Sequence, residues 1–171
     1  MNKQYAQEWP QFFTATIQEW KPLLKEDKYK NVIVDCLKFL VKEGKVTING
    51  FVIMDNHIHI VWQAKGINTI QKIQTSFLKH TSKEFKKLLE EDKNLEAYKV
   101  DAIDRHYNFW KRDSLNIELY TAAVFHQKLN YIHHNPVRAN LCNLPEDYYF
   151  SSASFYEKGI DHFEFLEHYL G

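Results

Sequence analysis

The segment Met54-Asp55-Asn56-His57-Ile58-His59-Ile60 carries two histidines two residues apart. On a β-strand such residues share a face, so His57 and His59 project together while Ile58 and Ile60 face the other way. Two imidazoles side by side supply half of a divalent-metal site. An isolated His-x-His is more often a pair of strand histidines that merely hydrogen-bond. The pair therefore needs partners elsewhere in the chain.

A second chemical segment runs from Gln127 to Arg138 (QKLNYIHHNPVR). At helical spacing Phe125, Leu129 and Ile132 form an apolar stripe suited to packing on a sheet. Gln127, Tyr131 and Asn135 recur every four residues beside it, which puts a phenol and an amide oxygen next to each other near the helix end. Taken alone, a half-buried packing tyrosine and a C-terminal asparagine cap explain the same spacing. A third feature is the row Lys72, Lys79, Lys83 and Lys86, on the side of a helix opposite Ile70, Ile73, Phe77, Phe85 and Leu88. A solvated lysine face is its commoner meaning; a phosphate-contacting ridge is the functional one.

The elements that must position these groups follow from periodicity. Residues 9–17 are aromatic and β-branched and predict a strand after a short polar lead. Residues 26–43 keep a helical period, with Gly44 placed as a helix terminus. Two strand-like runs, 46–54 and 57–62, flank Asp55-Asn56, a pair of turn-forming residues that predicts a hairpin. A long helix follows over 68–91, then a strand over 107–110 extending towards Arg112, then a helix over 121–134. Pro136 should end that last helix, because the residue before proline disfavours the α region. The order β-α-β-β-α-β-α predicts a ferredoxin-like α+β fold, an antiparallel sheet with helices packed on one face.

Composition sets the outer limits. The 171 residues suit one domain, with a core over about 9–140 and a C-terminal extension over about 141–171. Hydrophobic residues make up 44% and charged residues 26%, as in a soluble globular protein. No signal peptide or membrane span is expected, since no basic lead precedes a long apolar run. Cys36 and Cys142 fit no zinc or redox spacing, and two distant, reduced cysteines point to the cytoplasm. With 22 basic and 22 acidic residues the net charge is zero, which excludes a protein that coats nucleic acid by charge alone. It leaves room for a local basic face.

With these motifs in view, the chain resembles the single-tyrosine HUH transposases, in particular the REP-associated tyrosine transposases. The matching segments are FVIMDNHIHIVW (Phe51 to Trp62), FLKHTS (Phe77 to Ser82), FWKRD (Phe109 to Asp113) and KLNYIHHNPVRANL (Lys128 to Leu141). Ser151-Ser152-Ala153 and Tyr156 resemble the family's tail. The joint presence of the HIH strand and the YIHxNPVRA helix is specific, whereas either half alone is not.

This resemblance implies a metal-dependent enzyme that nicks and joins single-stranded DNA near hairpins. His57, His59 and Asn135 would be ligands of Mg²⁺ or Mn²⁺, and Tyr131 would be the nucleophile that forms a 5′-phosphotyrosine. The partner would be single-stranded or hairpin DNA, with Lys79, Lys111, Arg112, Lys128 and Arg138 as the candidate contacts by charge and motif position. Monomer and homodimer are both open, and His133 has no assigned role. A phosphodiester repels nucleophiles, and a tyrosine of ordinary pKa, about 10, holds little phenolate at neutral pH; a metal and nearby positive charge answer those two difficulties.

Two positions depart from the family pattern. Asp55 replaces the usual proline, either as a turn residue or as a carboxylate near the metal; the turn is the favoured reading. Asn140 replaces a glycine and should tolerate the same left-handed backbone. The competing functions are a non-catalytic DNA-hairpin-binding module on the same fold and a metal-dependent hydrolase that uses water.

Overall fold

The computed structural model describes residues 9–170; the polar lead, with its expected lack of a signal peptide, lies outside the described residues. Among the described residues four strands form one antiparallel sheet: β1 (Gln11–Thr16), β2 (Val46–Ile53), β3 (His57–Ala64) and β4 (Leu115–Glu118). Their order is β2-β3-β1-β4, with β1 between β3 and β4. Three long helices accompany the sheet: α1 (Asp27–Lys42), α2 (Ile70–Glu91) and α3 (Ala122–Arg138). A short α4 (Ala153–Lys158) follows. The expected ferredoxin-like α+β sheet is present.

Strand alternation divides the core in two. Phe13, Ala15, Ile58, Ile60 and Trp62 face α1 and α2, where they meet Ile33, Leu37, Phe77 and Phe85. Phe12, Val52 and Val61 face the other way and meet Phe125, Leu129 and Ile132 of α3. Each fully buried Val, Leu, Ile or Phe among them contributes about 1.5–3 kcal/mol relative to an exposed one. The helices were expected on one face. That holds for α1 and α2, while α3 covers the opposite face, the one that carries His57 and His59. The cause is the pleat: these histidines alternate with Ile58 and Ile60, so a helix that reaches them must lie across the sheet from α1 and α2.

Left-handed residues close the ends of α1 and α3, as Lys93 (φ 56°) and Gly159 (φ 68°) do after α2 and α4. Gly44 (φ 64°) donates to Val41 O and Lys45 donates to Leu40 O after α1. Asn140 (φ 57°) donates to Val137 O and Leu141 donates to Pro136 O after α3. Both are Schellman motifs, and asparagine accommodates the second as expected. Pro136, however, does not stop α3 in advance of itself. The helix runs through it to Arg138, so Asn135 keeps helical phase with Tyr131.

The strand expected over residues 107–110 is also corrected. Tyr107 and Trp110 make only isolated bridges, to Lys99 and Ile17, and the sheet's fourth strand is Leu115–Glu118. The aromatic run reflects burial instead: Phe109 and Trp110 pack against Phe85 in the larger core.

Beyond α3 the chain returns to the edge of β2. Leu166 bridges Ile48, Glu167 donates to Ile48 O at 3.0 Å, and Phe163 and Phe165 pack on Phe51. Covering this edge blocks its pairing with another chain. A bulge at Asn49 and the absent side chain of Gly50 let α3 settle on β2. A Cβ at residue 50 would stand 2.5 Å from Leu129 Cδ1, closer than packing allows.

Candidate active site

A cleft of about 430 Å³ opens on the α3 face of the sheet, lined by Phe12, Thr14, Thr16, Trp20, His57, His59, Leu115, Lys128, Tyr131 and Asn135. Strands β1 and β3 form its floor. Their register sets Thr14 opposite His59 and Thr16 opposite His57. Helix α3 forms one wall.

Each imidazole is held at its Nδ1. His59 Nδ1 lies 2.7 Å from Thr14 Oγ1, and His57 Nδ1 lies 2.8 Å from Asn56 Oδ1. The Asn56 oxygen can only accept, so His57 carries its proton on Nδ1 and leaves Nε2 unprotonated. The Thr14 contact allows the same tautomer at His59. His59 Nε2 is buried and has no hydrogen-bond partner. Burial, first, and then the charges of His57, Lys128 and Arg138 lower the His59 pKa to about 3. Burial also lowers that of His57. Both rings therefore stay neutral near pH 7, the form that ligates a metal.

Helix α3 brings Lys128, Tyr131, Asn135 and Arg138 along one side. The Asn135 amide nitrogen donates to His57 Nε2 at 3.5 Å, and a half-turn of the amide would present its oxygen instead. Tyr131 is 45% exposed, with its ring 5.5 Å from that of His59 and 6.3 Å from that of Phe12. Two cations flank it: Arg138 Cζ stands 4.7 Å and Lys128 Nζ 5.9 Å from the ring centre. Arg138 also donates to the Tyr131 carbonyl at 2.6 Å, which fixes the guanidinium beside the ring.

Of the residues singled out from sequence, the structure thus gathers His57, His59, Tyr131, Asn135, Lys128 and Arg138. Lys111 lies at the margin, its backbone N–H donating to Thr16 O at 2.7 Å. Arg112 turns to Asp104 at 3.5 Å, and Lys79 is exposed on α2, across the sheet from the cleft. Gln127, expected in the polar stripe, is exposed outside the cleft lining, and Lys128 takes its place. Among the described residues no cluster of three or more His, Cys, Asp or Glu could hold a metal. The donor set that fits an ion is two imidazoles, one amide oxygen and whatever oxygens a substrate brings. The orphaned, buried Nε2 of His59, beside a His57 Nε2 met only by the long contact from Asn135, is the observation in its favour.

Two neighbours answer questions left open by the sequence. Asp55 points away from the cleft: its carboxylate is 3.3 Å from Lys30 Nζ, and its carbonyl accepts from Leu24 N. His133 is buried and lies 2.7 Å from Ser152 Oγ, whose oxygen also accepts from Phe51 N. It ties α3 to β2 and stands outside the cleft. Thr14, Asn56 and Trp20 were missed, because their places depend on strand register and loop path, which periodicity does not report.

Comparison with solved structures finds the same fold in transposases. A REP-associated tyrosine transposase bound to a REP hairpin superposes with a TM-score of 0.64 over 98% of this chain and 90% of that one, at 16% identity. A candidate transposase from Deinococcus radiodurans R1 superposes with a TM-score of 0.53 over 78% of this chain and 95% of that one, at 10% identity. No family model matches the chain, and no curated protein matches it. Among the described residues no helix is long and apolar enough to cross a membrane.

Proposed function

We propose that the protein is a metal-dependent DNA strand transferase that nicks and rejoins single-stranded DNA beside a hairpin, with Tyr131 as nucleophile. The observation that carries this reading is the buried, partnerless Nε2 of His59, in one cleft with His57, Tyr131 and Asn135. The fold it shares with a transposase bound to a hairpin supports the choice of substrate.

His57 Nε2, His59 Nε2 and Asn135 Oδ1 would hold Mg²⁺ or Mn²⁺, which when bound neutralises the phosphate oxygens and orients the scissile group. The protein's own residues supply the rest. Thr14 and Asn56 lock the imidazole rings in orientation. Lys128 and Arg138 bring positive charge to a phosphate that approaches Tyr131, and they give a neutral protein a local basic wall.

The Tyr131 oxygen forms a bond to phosphorus as the bond from phosphorus to the 3′-oxygen breaks. The phenolic proton passes to solvent, which reaches the half-exposed ring, and the departing oxygen takes up a proton as a 3′-hydroxyl. The products are a 5′-phosphotyrosine and a free 3′ end. Attack by a 3′-hydroxyl on that adduct restores the phenol and joins DNA, so the bond energy is conserved and no nucleotide cofactor is required. The carboxylate of Asp55, engaged by Lys30, gives no support to an altered metal site.

The test is a denaturing gel with end-labelled, hairpin-bearing single-stranded DNA and Mn²⁺. Wild type should yield a covalent protein–DNA adduct, and Tyr131→Phe should yield none. Equal adducts from both would remove Tyr131 as nucleophile. Cleavage without any adduct, surviving in Tyr131→Phe, would make the protein a hydrolase, and metal-independent hairpin binding without cleavage would make it a binding module.

A further inference from the structure

Trp20 stands at the mouth of the cleft in a conformation its sequence does not favour. The residue is 58% exposed, and both it and Glu19 hold φ at 56°. A bulky residue in the left-handed region is rare, and two successive non-glycine residues there are rarer. The surroundings enforce the shape from both sides. Trp20 N donates to Ile17 O at 2.9 Å, and Asn56 Nδ2 donates to Trp20 O at 3.4 Å. On the flanks Gln18 N donates to Phe109 O, and Lys21 is tied to the Ala97 carbonyl and to Glu19.

The indole gains little packing from this. Among the described residues the one ring it meets is that of His57, edge-on at 6.4 Å and 70°. The other tryptophans differ: Trp62 and Trp110 are buried, and Trp9 leans on Tyr120. Asn56 connects the two features, because its oxygen orients His57 while its nitrogen holds the Trp20 backbone. The platform and the candidate metal ligand are thereby fixed to each other. Across the cleft stand Lys128 and Arg138, beside Tyr131.

We propose that Trp20 is a stacking platform for an unpaired nucleobase of the strand whose phosphate lies at His57, His59 and Tyr131. The inference rests on the strand-transferase reading and adds the residue that selects single strands. Phosphate contacts do not distinguish a single strand from a duplex, but a free base face does: in a duplex both faces are covered by neighbouring bases. A base lying on the indole therefore admits single-stranded DNA and excludes paired DNA at the point of cleavage.

Binding is measured in the Tyr131→Phe protein with Mn²⁺, so that no strand is cut. The probe is a fluorescein-labelled stem-loop with mixed-sequence single-stranded flanks, read by anisotropy, with the bare duplex stem as the control. Adding Trp20→Ala should weaken flank-dependent binding roughly five- to a hundredfold, and Trp20→Phe should keep most of it, since a phenyl ring still stacks. Trp20→Gly should bind as weakly as Trp20→Ala yet melt at a higher temperature than its parent, because glycine accepts a φ of 56° without strain. Unchanged binding in Trp20→Ala, or equal losses in Trp20→Ala and Trp20→Phe, would overturn the platform while leaving the strand-transferase reading intact. Failure of the parent to bind single-stranded DNA at all would overturn both.

Discussion

Thr14 and His59 face each other across β1 and β3, with the threonine hydroxyl 2.7 Å from the Nδ1 of the imidazole. This contact turns His59 so that its Nε2 is buried without a partner on the cleft side of the sheet. Second-layer partners of this kind hold a ligand's tautomer and orientation, and their loss weakens metal binding by about 10- to 100-fold. Thr14→Val keeps the shape and the β-branching and removes the hydroxyl. Calorimetric titration with Mn²⁺ should show a loss of that size, with Thr14→Ser restoring most of the affinity. Equal affinity in all three proteins would mean that the ring is held by packing alone, against Phe12, with which it stacks at 5.2 Å.

Asp55 and Lys30 provide the second prediction. The Lys30 side chain is buried, and it has two oxygens within reach: the Asp55 carboxylate at 3.3 Å and the Lys25 carbonyl at 3.1 Å. Asp55→Asn keeps a turn-forming residue and removes the charge. Removing one partner of a buried pair costs about 3–5 kcal/mol. Because the Asp55 side chain is 35% exposed, solvent screening reduces this to about 1–3 kcal/mol. Denaturant unfolding should show that loss while the Mn²⁺ affinity stays within about twofold, since the carboxylate faces α1 and not the cleft. A large drop in metal affinity at unchanged stability would return Asp55 to the metal's surroundings.

The contrast between these residues and His57, His59, Tyr131 and Asn135 marks where sequence reading succeeds. A period of two puts both histidines on one face, and a step of four stacks Asn135 over Tyr131; neither depends on the rest of the fold. The rotation of α3 about its own axis does depend on it. His133 and Pro136 join Leu129 and Ile132 in the buried face, which turns Lys128 into the cleft and leaves Gln127 outside. The β4 strand was missed because its four residues lie at the sheet edge, largely exposed, and show little apolar alternation. Trp20 is invisible for another reason: no local preference predicts a left-handed tryptophan, which only its surroundings can hold.

His133 gives the third prediction, through pH. Burial, with a smaller effect from the neighbouring His134 charge, lowers its pKa to about 4. In the unfolded chain the group titrates near its ordinary value of about 6.5. Between those values the unfolded chain binds more protons than the folded one, so stability falls as the pH drops. The contribution is fully present above pH 6.5 and is progressively lost on the way to pH 4. A shift of this size corresponds to something on the order of 3 kcal/mol across that window. His57 and His59, whose pKa values are also lowered, add slopes of the same sign in metal-free protein. His133→Gln removes only its own share. Urea unfolding at pH 7, 5.5 and 4.5 should therefore give a variant that is less stable at pH 7, through the lost contact with Ser152, but whose stability declines less steeply towards pH 4.5. Parallel declines in the two proteins would show that His133 stays protonated alike in the folded and unfolded states, and that the link between α3 and β2 does not depend on a neutral ring.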